Sequence, residues 1–463
     1  MDISACLDKF KRVHFIGVGG VSMSALAAML ALRGYTVTGS DDNPGGRHSK
    51  ELGKLGIPVM PGRSAEHLDG AEMVVYTAAV KDGHPELLEA LRRRIPVFKR
   101  SELLSAITSR YECPVGVAGT HGKTTTTAMV TAILLRAGLD PTVMVGGSVG
   151  LLGGNYRLGK SGFLVFESDE YMDSFLQFHP KISVILNIEA DHPDYFADES
   201  AVVDSFRKYT LNTLPDGVLI YNGEDENCRK AVDGYRGRVM DFGLAGKSAI
   251  RAEKICCKNG YYRFDAVLPD VTVAGIALRV PGLHNVKNAL AAGAAASLCG
   301  AGPEHIRESL SSFAGVERRF QLVGRCGGAT VVDDYAHHPS EVAATLKAAR
   351  ELGYRRVICV FQPHTYTRTK GLLKDFAKAL ALADMVVLAD IYAAREDDVY
   401  GVSSADLSAE IPGALYHPGD LESLALALKR NIGDGDLVIT MGAGDIDSVA
   451  RLLCDEKAEA SCG

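Results

Sequence analysis

The chain has 463 residues, of which 47% are hydrophobic and 23% charged, with a net charge of −7. That length exceeds one ordinary core and predicts about three domains, and the composition excludes a disordered or fibrous chain. The negative balance argues against a nucleic-acid partner, which would call for a basic face.

The chain opens with a short apolar strand, Val13–Ile16. A glycine turn, Gly17-Val18-Gly19-Gly20-Val21-Ser22, and a helix from Met23 to Leu32 follow. A second strand ends in Asp41. This is a βαβ unit with a dinucleotide-type fingerprint that ends in Ser22, not Gly or Ala. It places a helix N-terminus against a diphosphate, with Asp41 where a ribose or base contact falls. Further strands at Met73–Tyr76 and Ile95–Phe98, joined by a polar turn over Thr77–Val80 and a helix over Glu86–Arg94, predict a small parallel α/β domain. His67 reads as a surface helix residue.

Val115–Ala118 reads as a buried parallel strand running into Gly119-Thr120-His121-Gly122-Lys123-Thr124-Thr125 and a long helix. Strand, glycine turn, lysine and threonine, then helix make a phosphate-cradling loop. Lys123 can neutralise the β/γ-phosphates and Thr124 can offer its hydroxyl to Mg²⁺. The longer form of the motif wants glycine at position 117, where this chain has Val117. After the strand Val143–Gly147, the glycines of 153–159 predict a mobile loop from which Asn155 and Arg157 reach a ligand. A plain surface loop is the alternative.

Phe163–Glu167 is an apolar strand ending in an acid, followed by Asp169, Glu170 and Asp173. A strand-end Glu167 beside a phosphate loop is placed to hold Mg²⁺, which prefers oxygen ligands. The strand Ile182–Ile188 ends in Glu189, Asp191, His192 and Asp194, one crossover away, so His192 reads as a metal or phosphate group on the neighbouring strand. Residues 216–280 hold short β runs, read as a sheet extension or flap. His284 and Asn285 open the next helix, where they cap it or contact a base, and the Ala-rich stretch 289–301 reads as buried helix.

Gly315–Phe320 reads as a linker in which one of Arg318 and Arg319 lies on a nucleotide across a cleft. Strands at Val331–Asp334, Val357–Phe361, Met385–Asp390 and Leu437–Met441 predict a second doubly wound domain. Its strand ends carry Tyr335, His337, His338 and Arg368. The turn Gly442–Gly444 needs only a structural role.

Ten cysteines form no Cys-x-x-Cys pair, which excludes cysteine-based zinc and redox motifs and fits reduced thiols in a cytoplasmic protein. Cys462 reads as a tail residue. No signal peptide and no membrane span is expected.

The stretches from His14 to Met23, Gly119 to Thr127, Glu167 to Asp173, Asn187 to His192, Pro281 to Asn288, Arg318 to Phe320, Asp333 to Pro339 and Phe361 to Thr369 together resemble the Mur ligases, over the whole chain. The resemblance implies an α/β fold of three domains: a Rossmann-like domain at 1–104, a central P-loop ATPase-like sheet with extra strands at 105–313, and a Rossmann-like domain at 314–463. It implies a cytoplasmic, ATP- and Mg²⁺-dependent amide ligase adding L-alanine to the carboxylate of UDP-N-acetylmuramate in peptidoglycan synthesis. Ligation of a preformed tripeptide to the same sugar is the near alternative, and an NAD-dependent oxidoreductase built on residues 13–41 the distant one.

The implied roles are these. Gly17, Gly19, Gly20 and Ser22 meet the diphosphate, and Asp41 the uridine, with Asn155 and Arg157 as further UDP-sugar contacts. Gly119 to Thr125 bind ATP; Asn285 meets the adenine and Arg319 the nucleotide. Thr124, Glu167 and His192 hold Mg²⁺, and Lys123, Glu167, His192 and His337 carry the chemistry. Tyr335, His338 and Arg368 meet the amino acid. Two departures stand out. Thr365 replaces an arginine of the family pattern. Arg207, with Lys208 beside it, occupies the region of a carbamylated lysine, so that modification is not assigned.

Overall fold

The computed structural model describes residues 2–77, 80, 81, 83–193, 195–244, 246–394 and 396–454; part of the expected Thr77–Val80 turn, Asp194 and Cys462 fall outside them. Three sheets succeed one another along the chain, giving a three-domain α/β fold. The first is all parallel, with β1 (Arg12–Ile16), β2 (Thr36–Asp41), β3 (Val59–Pro61), β4 (Met73–Tyr76) and β5 (Val97–Lys99) in the order β3-β2-β1-β4-β5. The chain reverses direction across the sheet after β3. Ligands of such sheets gather at that switch point, beyond the strands' carboxyl ends.

The second sheet has ten strands. Its parallel centre is β6 (Cys113–Ala118), β7 (Thr142–Val149), β9 (Phe163–Glu167), β10 (Ile182–Ile185), β11 (Val218–Asn222) and β12 (Arg238–Gly243). β8 (Gly154–Arg157) pairs antiparallel with β7, so the glycine stretch predicted to be mobile is a hairpin strand. Beyond β12 lie β13 (Ile250–Lys258), β14 (Tyr261–Val267) and β15 (Thr272–Ala277), the extension expected from the short β runs. The order β11-β10-β6-β9-β7 puts β6 between β9 and β10. Glu167 and His192 therefore follow strands that flank the phosphate loop, not neighbouring strands as their spacing suggested.

Burial explains this centre. Val115, Val117, Val165, Val184 and Ile220 are fully buried, as strands covered on both faces require. The helices Lys123–Arg136 and Leu283–Leu298 pack together over one face, and the Ala-rich run inside the second is buried as expected. The third sheet runs β16 (Gln321–Cys326), β17 (Ala329–Asp334), β21 (Asp436–Met441), β18 (Arg356–Phe361), β19 (Met385–Leu388), β20 (Leu415–Tyr416), parallel except for β16. Among the described residues no helix is long and apolar enough to cross a membrane.

His67 is not a plain surface residue. Its Nδ1 lies 3.0 Å from Glu86, a fully buried carboxylate that also takes His14 Nε2 at 2.9 Å and the Ser40 hydroxyl at 2.7 Å. The paired donors explain why a charge survives inside the first domain. Burial pushes the Glu86 carboxyl up, but hydrogen bonds from His14, Ser40 and His67 leave it below its ordinary value.

Candidate functional site

The phosphate loop links the end of β6 to the helix Lys123–Arg136. Gly119 (φ 140°) passes so close to β10 that a side chain would meet Leu186 Cβ at 3.0 Å. Gly122 (φ 84°) takes the left-handed turn that starts the helix, a conformation only glycine adopts freely. Asn187 braces the loop, accepting from His121 N at 2.7 Å and donating to His121 O at 3.0 Å. The helix's first N–H groups have no carbonyl behind them and point at the cleft as anion donors.

Lys123 Nζ bonds Gly119 O at 2.6 Å and the Glu170 carboxylate at 2.7 Å. Burial pulls the lysine down, but Glu170 and Asp169 hold it charged well above its ordinary value. Glu170 is buried and is itself pushed up by burial against the pull of Lys123. Its second oxygen, Oε1, is buried with no hydrogen-bond partner among the described residues and lies 3.8 Å from His192 Nε2.

Asp169, Glu170 and His192 thus bring three donor atoms within 4.8 Å of one another. Of the expected metal set of Thr124, Glu167 and His192, His192 belongs to this group, and Thr124 bonds Glu167. Glu167 also accepts from Gly146 N at 2.6 Å, and burial raises it while that bond and the Thr124 hydroxyl lower it. The sequence signal was the acidic run after β9. Of its acids, Glu170 is the one that bonds Lys123.

A cleft of about 660 Å³ joins all three domains here. It is lined by Ser22, Arg100, Lys123, Thr124, Asn155, Glu167, Asp169, Glu170, His192, Arg319, Tyr335 and His337. An adjoining cavity of about 300 Å³ is walled by Gly122, Thr125, Phe242, Val280, Pro281, Asn285 and Arg319, and by Ala344 and Ala348 of the helix Pro339–Glu351. Its apolar walls and amide edges suit a base. Asn285 is buried with its amide on Pro281 O at 2.7 Å; the helix is capped by Gly282, not by His284 or Asn285.

In the first domain a cavity of about 620 Å³ is lined by Gly17, Gly20, Asp41, Arg63 and His84. The Gly17 and Val18 amides are bound to Ser40 O, and Gly19 N to the Asp41 carboxylate at 2.8 Å. The amides of all three expected glycines are therefore engaged, Gly20 N reaching Gly17 O at 3.5 Å. The first turn of the helix Val21–Leu32 keeps its own amides, and Ser22 accepts from Arg100 at 3.0 Å. Asn155 lines the central cleft, its amide on Val21 O at 2.8 Å. Arg157 does not join it: its guanidinium binds Pro141 O at 2.8 Å and the Asp140 carboxylate.

In the third domain Tyr335 lies beneath Arg318 and Arg319, 4.9 and 5.2 Å from its ring centre. The two arginines differ. Arg318 ties the hinge to Gly442 O and Gly444 O, giving that glycine turn its structural role, whereas Arg319 enters the cleft beside Glu341. His337 is held neutral by burial, its value lowered to about 4, with Nδ1 against Tyr335 O at 2.9 Å.

His338 caps the helix Pro339–Glu351 and reaches Ala190 O at 3.1 Å, so it stands at the domain interface and does not line the cleft. Arg368 is buried against Asp191 at 2.8 Å. Thr365, with φ 65°, caps the short helix Tyr366–Gly371 that carries Arg368. Arg207 pairs with Asp204 and Lys230 O.

Three family models match in succession: Mur ligase family, catalytic domain, over 12–112; Mur ligase middle domain over 117–296; and Mur ligase, glutamate ligase domain, over 318–444. A UDP-N-acetylmuramate–L-alanine ligase of Acetivibrio thermocellus is 45% identical over 456 residues, 97% of both chains. The chain belongs to the Mur ligase family. Among solved Mur ligases, a UDP-N-acetylmuramate–alanine ligase of Thermotoga maritima superposes with TM-score 0.81 at 31% identity, covering 97% of this chain and 99% of that one. A murein peptide ligase of Psychrobacter arcticus superposes with TM-score 0.74 at 26% identity, covering 96% and 98%. Sequence identity is higher to the two alanine ligases than to the murein peptide ligase.

Proposed function

We propose that this Mur ligase joins L-alanine to the carboxylate of UDP-N-acetylmuramate at the expense of ATP, a step of peptidoglycan synthesis, with domains at 1–104, 105–313 and 314–463. The observation that carries the reading is a single cleft, floored by Lys123, onto which the nucleotide loop, the first domain's helix N-terminus and the third domain's strand ends all open.

ATP lies with its base between Asn285 and the helix Pro339–Glu351 and its phosphates on Gly119 to Thr125. Arg319 reaches it from the hinge. Lys123 trades its contact with Glu170 for the γ-phosphate. The orphaned Glu170 Oε1, with Asp169 and His192, fits a divalent cation that would be bound through oxygen and imidazole, and Thr124 and Glu167 line the same cleft. Mg²⁺ held by these residues would supply charge neutralisation to the phosphoryl group.

The sugar nucleotide enters from the first domain past Asp41, Gly20, Ser22 and Asn155, its carboxylate directed to the γ-phosphorus. Carboxylate oxygen attacks phosphorus and ADP leaves, giving an acyl phosphate. The amine of L-alanine then attacks the acyl carbon and phosphate departs with its bridging oxygen. His337 is neutral, and its Nδ1–H donates to Tyr335 O; the Nε2 lone pair is the acceptor for the amine's proton. Closure of the three domains over the bound substrates excludes water, which would hydrolyse the acyl phosphate.

Phosphate release is measured with ATP, UDP-N-acetylmuramate and either L-alanine or the tripeptide L-alanyl-γ-D-glutamyl-meso-diaminopimelate. Release with L-alanine supports the reading. Release only with the tripeptide overturns it.

A further inference from the structure

We propose that His121, Glu189 and His338 form a binding site for a tetrahedral divalent transition metal, of which Zn²⁺ is the type, bridging the central and third domains. The three residues come from separate places: the phosphate loop, the segment after β10, and the turn before the helix Pro339–Glu351. Their ligand atoms lie within 4.8 Å of one another. Glu189 Oε2 stands 3.4 Å from His121 Nε2 and 3.6 Å from His338 Nδ1. With metal–ligand bonds of about 2.0–2.1 Å, a tetrahedron has edges of roughly 3.3 Å. Two of the three edges are therefore nearly at metal-binding length.

The partners of the other ring nitrogens point the same way. His121 Nδ1 lies 3.2 Å from the Glu341 carboxylate, and His338 Nε2 lies 3.1 Å from Ala190 O. Each imidazole thereby sets one ring nitrogen against a carboxylate or carbonyl and the other on the side of Glu189. That is the arrangement by which proteins orient metal-binding histidines.

The Ser340 hydroxyl sits between the two rings, 2.9 Å from His121 Nε2 and 2.8 Å from His338 Nδ1. His338 Nδ1 also accepts from Ser340 N at 3.4 Å as the helix cap, so a metal bound here would take the place of the Ser340 contacts. Two imidazoles and one carboxylate select Zn²⁺ or Co²⁺ over Mg²⁺, whose oxygen-rich donors lie at Asp169, Glu170 and His192. A metal here ties the phosphate loop to the third domain, so it holds the domains together and slows turnover.

The test uses the full-length protein, stripped with chelator and titrated with Co²⁺, the visible bands reporting tetrahedral geometry; Zn²⁺ is followed by thermal unfolding. The expected result is one tetrahedral Co²⁺ per chain and a raised unfolding temperature with Zn²⁺. His338→Gln and Glu189→Gln, each first shown to unfold cooperatively without metal, weaken Co²⁺ binding at least ~10-fold. His192→Gln retains it. The proposal is overturned if the wild-type chain gives no tetrahedral spectrum, if the spectrum survives both His338→Gln and Glu189→Gln, if His192→Gln abolishes it, or if a thiolate charge-transfer band assigns it to the exposed Cys256 and Cys257.

Discussion

Arg368 and Asp191 offer a direct test of how the third domain is held on the central one. The guanidinium and carboxylate are 2.8 Å apart, and their side chains are only 8% and 7% exposed. Burial pushes Asp191 up, but Arg368, helped by His192 and His337, holds it far below the usual carboxylate range. At an effective dielectric of about 20, their attraction amounts to roughly 6 kcal/mol, much of it cancelled by the desolvation of both ions. The measurable quantity is the penalty for stranding one charge, about 3–5 kcal/mol.

Arg368→Met keeps the stem and strands Asp191. Thermal unfolding is measured for the wild type, both single variants and the double variant with Asp191→Asn. Arg368→Met is expected to lower the unfolding midpoint by at least about 6 °C, at roughly 2 °C per kcal/mol. Adding Asp191→Asn to it should recover at least ~2 kcal/mol, because the stranded charge is gone. A double variant equal to the sum of the singles within about 0.5 kcal/mol would refute the coupling.

Lys123→Met is expected to lower kcat by at least ~100-fold while leaving UDP-N-acetylmuramate binding intact, measured by steady-state kinetics and calorimetry. Chelation of divalent ions should abolish turnover, and Mg²⁺ should restore it; undiminished activity in excess chelator would contradict the role given to Asp169, Glu170 and His192. Acid should destabilise the fold through His337 and His364, both lowered by burial to about 4. Each stays neutral when folded while the unfolded chain protonates near pH 6.5, so stability falls as pH drops from about 6.5 to 4, by at most about 3 kcal/mol per histidine. Thermal melts across that range should show a shallower slope in His364→Gln.

Features set by neighbours in sequence were legible. The phosphate loop declares itself through Gly122-Lys123-Thr124 between an apolar strand and a helix, and the βαβ unit of Val13 to Asp41 through its periodicity. Features set by chain crossing were not. Glu167 and Glu170 carry the same side chain three residues apart, yet Glu170 bonds Lys123 while Glu167 bonds Gly146 N, a division that the residue types do not give away. The insertion of β6 between β9 and β10 cannot be read from spacing. Arg157 and Asp140 pair across the β7–β8 hairpin, which the glycines of 153–159 disguised as a loop. His338 and Arg368 belong to an interface whose other half, Ala190 and Asp191, lies far away in the chain.

The account depends on activation of the sugar's carboxylate by phosphoryl transfer over Lys123. UDP-N-acetylmuramate labelled with ¹⁸O in its carboxylate, turned over with ATP and L-alanine, tests this by mass spectrometry of the phosphate. One labelled oxygen in each phosphate released is the predicted result. Phosphate free of label, with the amide formed, would contradict it.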